Sequence, residues 1–218
     1  MAKFNPYMLL VEGKTDKWVV IQFMAKFIPW GESDEPGKWP VDIISAGNVE
    51  TLLESGFIEG KLKISGLKAL GVIVDANSNP AGRWQAIRNR VSKFYPAFPE
   101  ALPSEGLVIE ADEAPRFGFW LMPDCSSMGM IETFLAQFAD NRDDGIWPFL
   151  DAHCREAKSR FQVPFKDVHM DKALIHSWLA LQDEPGQQLH EAIVQTTLKP
   201  ESPSAAPFVN WFRRLYRV

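Results

Sequence analysis

An α/β fold with a largely parallel sheet is the class this sequence predicts, on three observations. Short apolar runs rich in Val, Leu and Ile recur through the first two thirds of the chain, and stretches with helical apolar spacing separate them. Two of those runs, MLLV and GVIV, are apolar without alternation, as strands buried on both faces are. Beyond Gly129 the strand pattern stops and only helical spacing remains. The expected organisation is an α/β core over residues 1–140 followed by a helical C-terminal extension, 141–218, packed on it.

The elements follow in order. Tyr7 to Val11 reads as a buried strand between Asn5-Pro6 and Glu12-Gly13. Thr15 or Asp16 opens a helix that is apolar on most faces and runs to about Ile28, before Pro29. The segment 31–40, GESDEPGKWP, is a turn-rich loop. Val41 to Ser45 is a second strand, Val49 to Ile58 a short helix, and Leu67 to Val74 a third strand. Pro80 to Phe94 is a helix with proline in its first turn. Leu107 to Ile109 and Phe117 to Met122 are two further strands. Helices are expected over Met130–Phe138, Trp147–Phe161, Lys172–Leu181, Gln187–Thr197 and Pro207–Tyr216.

Composition narrows the function classes. The 218 residues are 46% hydrophobic and 12% aromatic, which suits a packed core and not a disordered chain. A net charge of −5 argues against broad, sequence-independent binding to nucleic acid, yet leaves room for a small site where bound cations supply positive charge. Cys125 and Cys154 are too few for a disulfide scaffold and form no CxxC pair, so a reduced, cytoplasmic setting is the expectation. The apolar run at the N-terminus meets Glu12 too early for a signal-peptide core. The stretch from Trp18 to Trp30 contains Gln22 and Lys26 and is too short to cross a bilayer, so no membrane association is expected.

Chemistry concentrates at two strand ends. Glu12 directly follows the first strand, and Gly13 after it offers a ligand close approach to the backbone. The plainer reading of Glu12 is an interaction with the N-terminus of the next helix. Asp75 ends the run GVIV, and Asp75, Asn77 and Asn79 alternate, so on an extended segment all three would point one way. Such oxygen ligands suit Mg²⁺, which takes a few carboxylates plus water and substrate phosphate oxygens. The same residues also read as an ordinary turn, with Asn79 before Pro80 an N-cap.

Taken together, LLVEG and IVDAN resemble the Toprim family, the catalytic domain shared by topoisomerases, primases and OLD-type nucleases. Its pattern is a strand ending in Glu-Gly and a later strand ending in Asp-x-Asp. The stretch FWLMPDCSSMGMIETFL is similar to the Met-Pro-Asp…Gly-Met-Leu-Glu segment of a bacterial Toprim-like family of unknown function, and WLALQDEPGQQLHEAI and FVNWFRRLY also look similar to it. The resemblance spans nearly the whole chain and is strongest at residues 9–16, 71–85 and 119–135.

What the resemblance implies is a Mg²⁺- or Mn²⁺-dependent, nuclease-like phosphoryl-transfer protein acting on DNA or RNA. Glu12 would be a metal ligand or general acid/base and Asp75 a metal ligand. Asn77 stands where the pattern has its second aspartate, a departure that puts a second metal and full activity in doubt. Asp124 and Glu132 are further acidic ligand candidates, beside the plainer readings of a turn cap for Asp124 and a first-turn helix residue for Glu132. Gly13, Lys14 and Arg83 are the candidate substrate contacts, Arg83 because it closely follows the Asp75 turn. The rival expectation is a non-catalytic Toprim-like module that binds a nucleotide, nucleic acid or protein. OLD-type relatives also point to a separate ATPase partner, since this sequence has no GxxxxGK[ST] loop of its own. His153, His169, His176 and His190 show no zinc spacing.

Overall fold

The computed structural model describes residues 4–31, 39–140, 142 and 145–218. Most of the expected loop at 31–40 therefore lies outside the described residues. Five strands form one sheet in the order β2-β1-β3-β5-β4. β1 (Tyr7–Val11), β2 (Asp42–Ser45), β3 (Ala69–Asp75) and β5 (Ala114–Met122) run parallel, and β4 (Leu107–Ala111) is an antiparallel edge hairpinned to β5. The expected α/β class is what the structure shows.

The order makes β1 a branch point. From β1 the chain passes through α1 (Lys14–Ala25) to β2 on one side. It then returns through α2 (Val49–Leu52) and α3 (Phe57–Leu62) to β3 on the other side. The crevice outside the carboxyl ends of β1 and β3 is thus a topological switch point, the place where open α/β sheets bind ligands. Glu12 and Asp75 stand at those two ends.

Successive residues of β5 assign the two covering layers. Phe119 packs on Trp84 of α4 (Pro80–Val91) with ring centroids 5.9 Å apart. Trp120 faces the other way, 5.3 Å from Phe208 and 5.7 Å from Trp211 of α9 (Ala206–Tyr216). On that second face Gly71 and Gly118 lie side by side in the β3–β5 register. They form a flat track for α9: a Cβ at Gly118 would come within 2.5 Å of Leu215, and one at Gly71 would collide with Tyr216 and Leu215. Trp211 Nε1 donates to the Leu107 carbonyl at 2.9 Å, and the Tyr216 hydroxyl donates to that of Met8 at 2.7 Å. The C-terminal helix is therefore a layer of the sheet's own core. Residues before and after 140 share a single hydrophobic cluster.

The expected helix over Val49–Ile58 is two helices. Gly56 takes a left-handed φ of +94°, which ends the first path and starts α3, and the Glu59 carboxylate accepts the Gly56 N–H at 3.0 Å. The remaining helices are α5 (Ile131–Leu135), α6 (Ile146–Phe161), α7 (Met170–Leu179) and α8 (Leu189–Val194). α8 packs on α1, and α7 packs on both α5 and α6. Among the described residues no helix is long and apolar enough to cross a membrane.

Candidate functional site: a carboxylate cluster at the strand ends

Glu12 and Asp75 are joined directly. Past the end of β1 the Glu12 side chain replaces a backbone acceptor, and its Oε1 takes the Asp75 N–H at 2.8 Å. Asp75 in turn accepts the N–H of Ile131, the first residue of α5, at 2.9 Å through Oδ1. Asp16, in the first turn of α1, accepts the Gly13 N–H at 2.7 Å through Oδ2. Glu132, in the first turn of α5, is only 2% exposed and pairs with Lys172 of α7 at 2.9 Å. Two strand ends at the carboxyl edge of the sheet and the first turns of two helices thus deliver four carboxylates.

Their charges interact. Burial pushes the Glu12 carboxyl up to about 7, and Asp16 and Glu50 push the same way against the Asp75 N–H and Arg83. Burial also raises Asp75 well above the usual carboxylate range, with Glu12, Asp16 and Glu132 adding repulsion. Asp16 is raised by burial and by Glu132. Burial disfavours the Lys172 ammonium, but its bond to Glu132 and the charges of Glu132, Asp75 and Asp16 outweigh that and raise it. His176, one turn further along α7, is lowered by burial and by Lys172 against the pull of Glu132. Negative charge exceeds positive in this crevice.

Not every residue expected here is brought in. Asn77 does not continue an extended segment from Asp75, because its φ is +51°. Its backbone bridges that of Gly129, with Asn77 N–H to Gly129 O at 2.6 Å and the reverse bond at 2.9 Å. That bridge ties the loop after β3 to the loop after β5 and breaks the expected alternation. Asn79 caps α4 by accepting the Gly82 N–H at 2.9 Å. Asp124 is exposed and is used by its own loop: Oδ1 accepts the Ser126 and Ser127 N–H groups at 2.9 and 2.7 Å, and Oδ2 the Ser127 hydroxyl at 2.7 Å. Those bonds outweigh burial and hold its carboxyl low. Of the two sequence readings of Asp124, the turn cap is the one its bonds support.

Arg83, half-buried in the first turn of α4, reaches the site through its field on Glu12, whereas Lys14 is exposed at the start of α1. Gly13 is extended (φ −115°), so no left-handed turn selects glycine there; a Cβ would sit 3.4 Å from Asp16 Oδ2. Arg90, two turns further along α4, donates its Nε to the Leu53 carbonyl at 3.1 Å.

Sequence reading missed Asp16 as a member of the cluster, although a carboxylate three residues after the Glu-Gly turn was a usable signal. It also missed Lys172, which no local pattern marks because α7 carries it in from the C-terminal region. Thr133 and Asp171 were missed too: the Thr133 hydroxyl donates to Asp171 and accepts the Met130 N–H at 3.0 Å, fastening α5 to α7.

Residues 6–217 match the family described as Protein of unknown function (DUF3226). The chain belongs to that family. No curated protein and no solved structure matches it. The DUF3226 span takes in both strand ends and Lys172, so sheet and C-terminal helices form one family unit.

Oxygen donors of the kind these DUF3226 residues present are those a hard divalent cation would take. The donors are all oxygen, and burial without enough compensating charge makes the ionised forms costly. Among the described residues the bonds of Glu12 and Asp75 to other residues each engage one carboxylate oxygen. No group of three His, Cys, Asp or Glu among the described residues is arranged to hold an ion as it stands. Mg²⁺ needs fewer, since it keeps several waters and is held by one or two carboxylates.

Proposed function

We propose that the chain is a Toprim-type, divalent-metal-dependent phosphoryl-transfer protein, nuclease-like, acting on DNA or RNA phosphodiesters. The observation that carries this reading is the Glu12–Asp75 contact at the β1/β3 switch point. It ties the Glu12 carboxylate to the backbone of Asp75, so the two strand ends of the Toprim resemblance open into one crevice, the arrangement that metal-assisted phosphoryl chemistry would need.

Glu12 and Asp75 would hold Mg²⁺ or Mn²⁺, with Asp16 and Glu132 adding negative field; the bound ion would neutralise phosphate charge and lower the pKa of a water. Burial raises the Glu12 carboxyl to about 7 in the metal-free protein, so a bound divalent cation would relieve the cost of its charge. Arg83, whose field already reaches Glu12, is the chain's contact for a substrate phosphate, with exposed Lys14 at the rim.

The test is incubation of the purified protein with single- and double-stranded DNA and RNA, with Mg²⁺ or Mn²⁺. Metal-dependent cleavage lost in Glu12→Gln and Asp75→Asn supports the enzyme. Cleavage that persists in both variants rejects the site.

A second reading is a non-catalytic binding module, working with a separate ATPase. It is favoured by Asn77, whose left-handed backbone carries a neutral amide where the Toprim pattern has an acid. Metal and nucleic-acid binding without cleavage would select it.

A further inference from the structure

Lys172 is out of keeping with its surroundings. It comes from α7, a helix outside the sheet's own crossovers, and its side chain is half exposed, yet its ammonium is seated in the carboxylate cluster. Its partner Glu132 has a side chain only 3% exposed and lies 2.9 Å away. A buried carboxylate left without a cation is strongly destabilising, so Lys172 offsets the Glu132 charge when nothing else does. Its field also reaches Asp16 and Asp75. α7 is fastened at the adjacent position as well, by Asp171 to Thr133. Consecutive residues of α7 thus bind consecutive residues of α5.

We propose that Lys172 is the resident counter-ion of the site, and that its ammonium and a divalent cation compete for the Glu132 edge of the cluster. Occupancy by the divalent ion then repels Lys172 and loosens the α5–α7 contact, so the C-terminal helices sense whether the site is loaded. The inference rests on the divalent-cation reading of the site. It differs in sign from a purely structural role for Lys172. A residue that only holds Glu132 in place weakens metal binding when removed. A competing cation strengthens it.

Calorimetric titration of Mn²⁺ into the chelator-stripped full chain separates these outcomes. Lys172→Met should bind Mn²⁺ more tightly than the unsubstituted protein, on the order of tenfold, because one positive charge no longer opposes the ion. Lys172→Gln should act in the same direction, and Lys172→Arg, which keeps the charge, should match the parent. In thermal unfolding, Lys172→Met should lower the midpoint in chelator, and saturating Mn²⁺ should narrow or close that gap. Equal or weaker Mn²⁺ binding by both neutral variants overturns the inference and leaves the metal site intact. Absence of Mn²⁺ heat from the parent and from all three variants removes the metal site and the inference with it.

Discussion

Glu12 accepts the backbone N–H of Asp75 at 2.8 Å, so a side chain at the end of one strand completes the hydrogen bonding of its neighbour 63 residues away. The same oxygen set is part of an over-charged crevice, where burial pushes the Glu12 carboxyl to about 7. The Glu12 side chain is thus both a structural acceptor and an electrostatic cost.

That conflict predicts a pH-dependent effect for Glu12→Gln. The folded protein holds the Glu12 proton more tightly than the unfolded chain, whose value is near 4.5. Stability from this group is therefore complete below about pH 4.5 and is lost as pH rises through about 7. Gln keeps an acceptor for the Asp75 N–H but has no charge to bury. In chelator, the variant should match the parent at pH 4 and exceed it at pH 8 by about 1–3 kcal/mol in urea unfolding. A variant less stable than the parent at pH 8 would show that the carboxylate is not strained.

Glu12→Ala should behave differently. It removes the charge and the acceptor together, leaving the Asp75 N–H to find water at the end of a central strand. The gain at pH 8 should shrink by about 1–2 kcal/mol relative to Gln, and the variant should fall below the parent at pH 4. Urea midpoints for the two variants at both pH values check this.

The α9 layer makes a prediction about packing. Gly118→Ala places a methyl within 2.5 Å of Leu215 in a filled core, and should cost about 1–3 kcal/mol. Leu215→Ala alone should cost about 2–5 kcal/mol through the cavity it leaves. The double variant should lose less than the sum, because the new methyl enters that cavity. Simple additivity in denaturant unfolding would mean that α9 does not lie on this track.

These residues also show which parts of the molecule were legible in its sequence. The strand ends were: MLLV and GVIV are buried on both faces, and only an acidic residue at each carboxyl end breaks the apolar run. Most helix bounds moved by only a few residues. Local pattern failed where a distant segment decides the conformation. Asn77 reads as extended until Gly129, beyond β5, bridges its backbone and turns it left-handed. Helical spacing carried the Val49–Ile58 reading across Gly56, whose positive φ splits it. Gly71 and Gly118 carry no sequence sign that they are neighbours, so α9 reads as an appendage and not as a layer. Lys172 is the extreme case, since only the packing of α7 on α5 brings it to Glu132.

Thr133 tests the fastening between those two helices. Its hydroxyl both accepts the Met130 N–H and donates to Asp171, so Thr133→Val removes two bonds at one isosteric position. The expected loss is about 1–2 kcal/mol, with amide exchange in α7 accelerated more than exchange in β1 and β3. Uniform acceleration across the sheet would mean that α7 has no separate opening.

Asp124 separates loop chemistry from metal chemistry. Its carboxylate accepts from the Ser126 and Ser127 backbone and from both hydroxyls, all within the turn after β5. A group so used holds the turn that leads the chain into α5 and toward Ile131, whose N–H meets Asp75. Asp124→Ala should therefore cost about 1–2 kcal/mol of stability while Mn²⁺ affinity changes by less than about threefold. Asp75→Asn should do the reverse, gaining stability in chelator and losing most Mn²⁺ affinity, since it removes a buried ionisable carboxyl that is also the proposed ligand. If Asp124→Ala instead abolishes Mn²⁺ binding in a folded protein, the ion sits nearer β5 than the strand ends of β1 and β3.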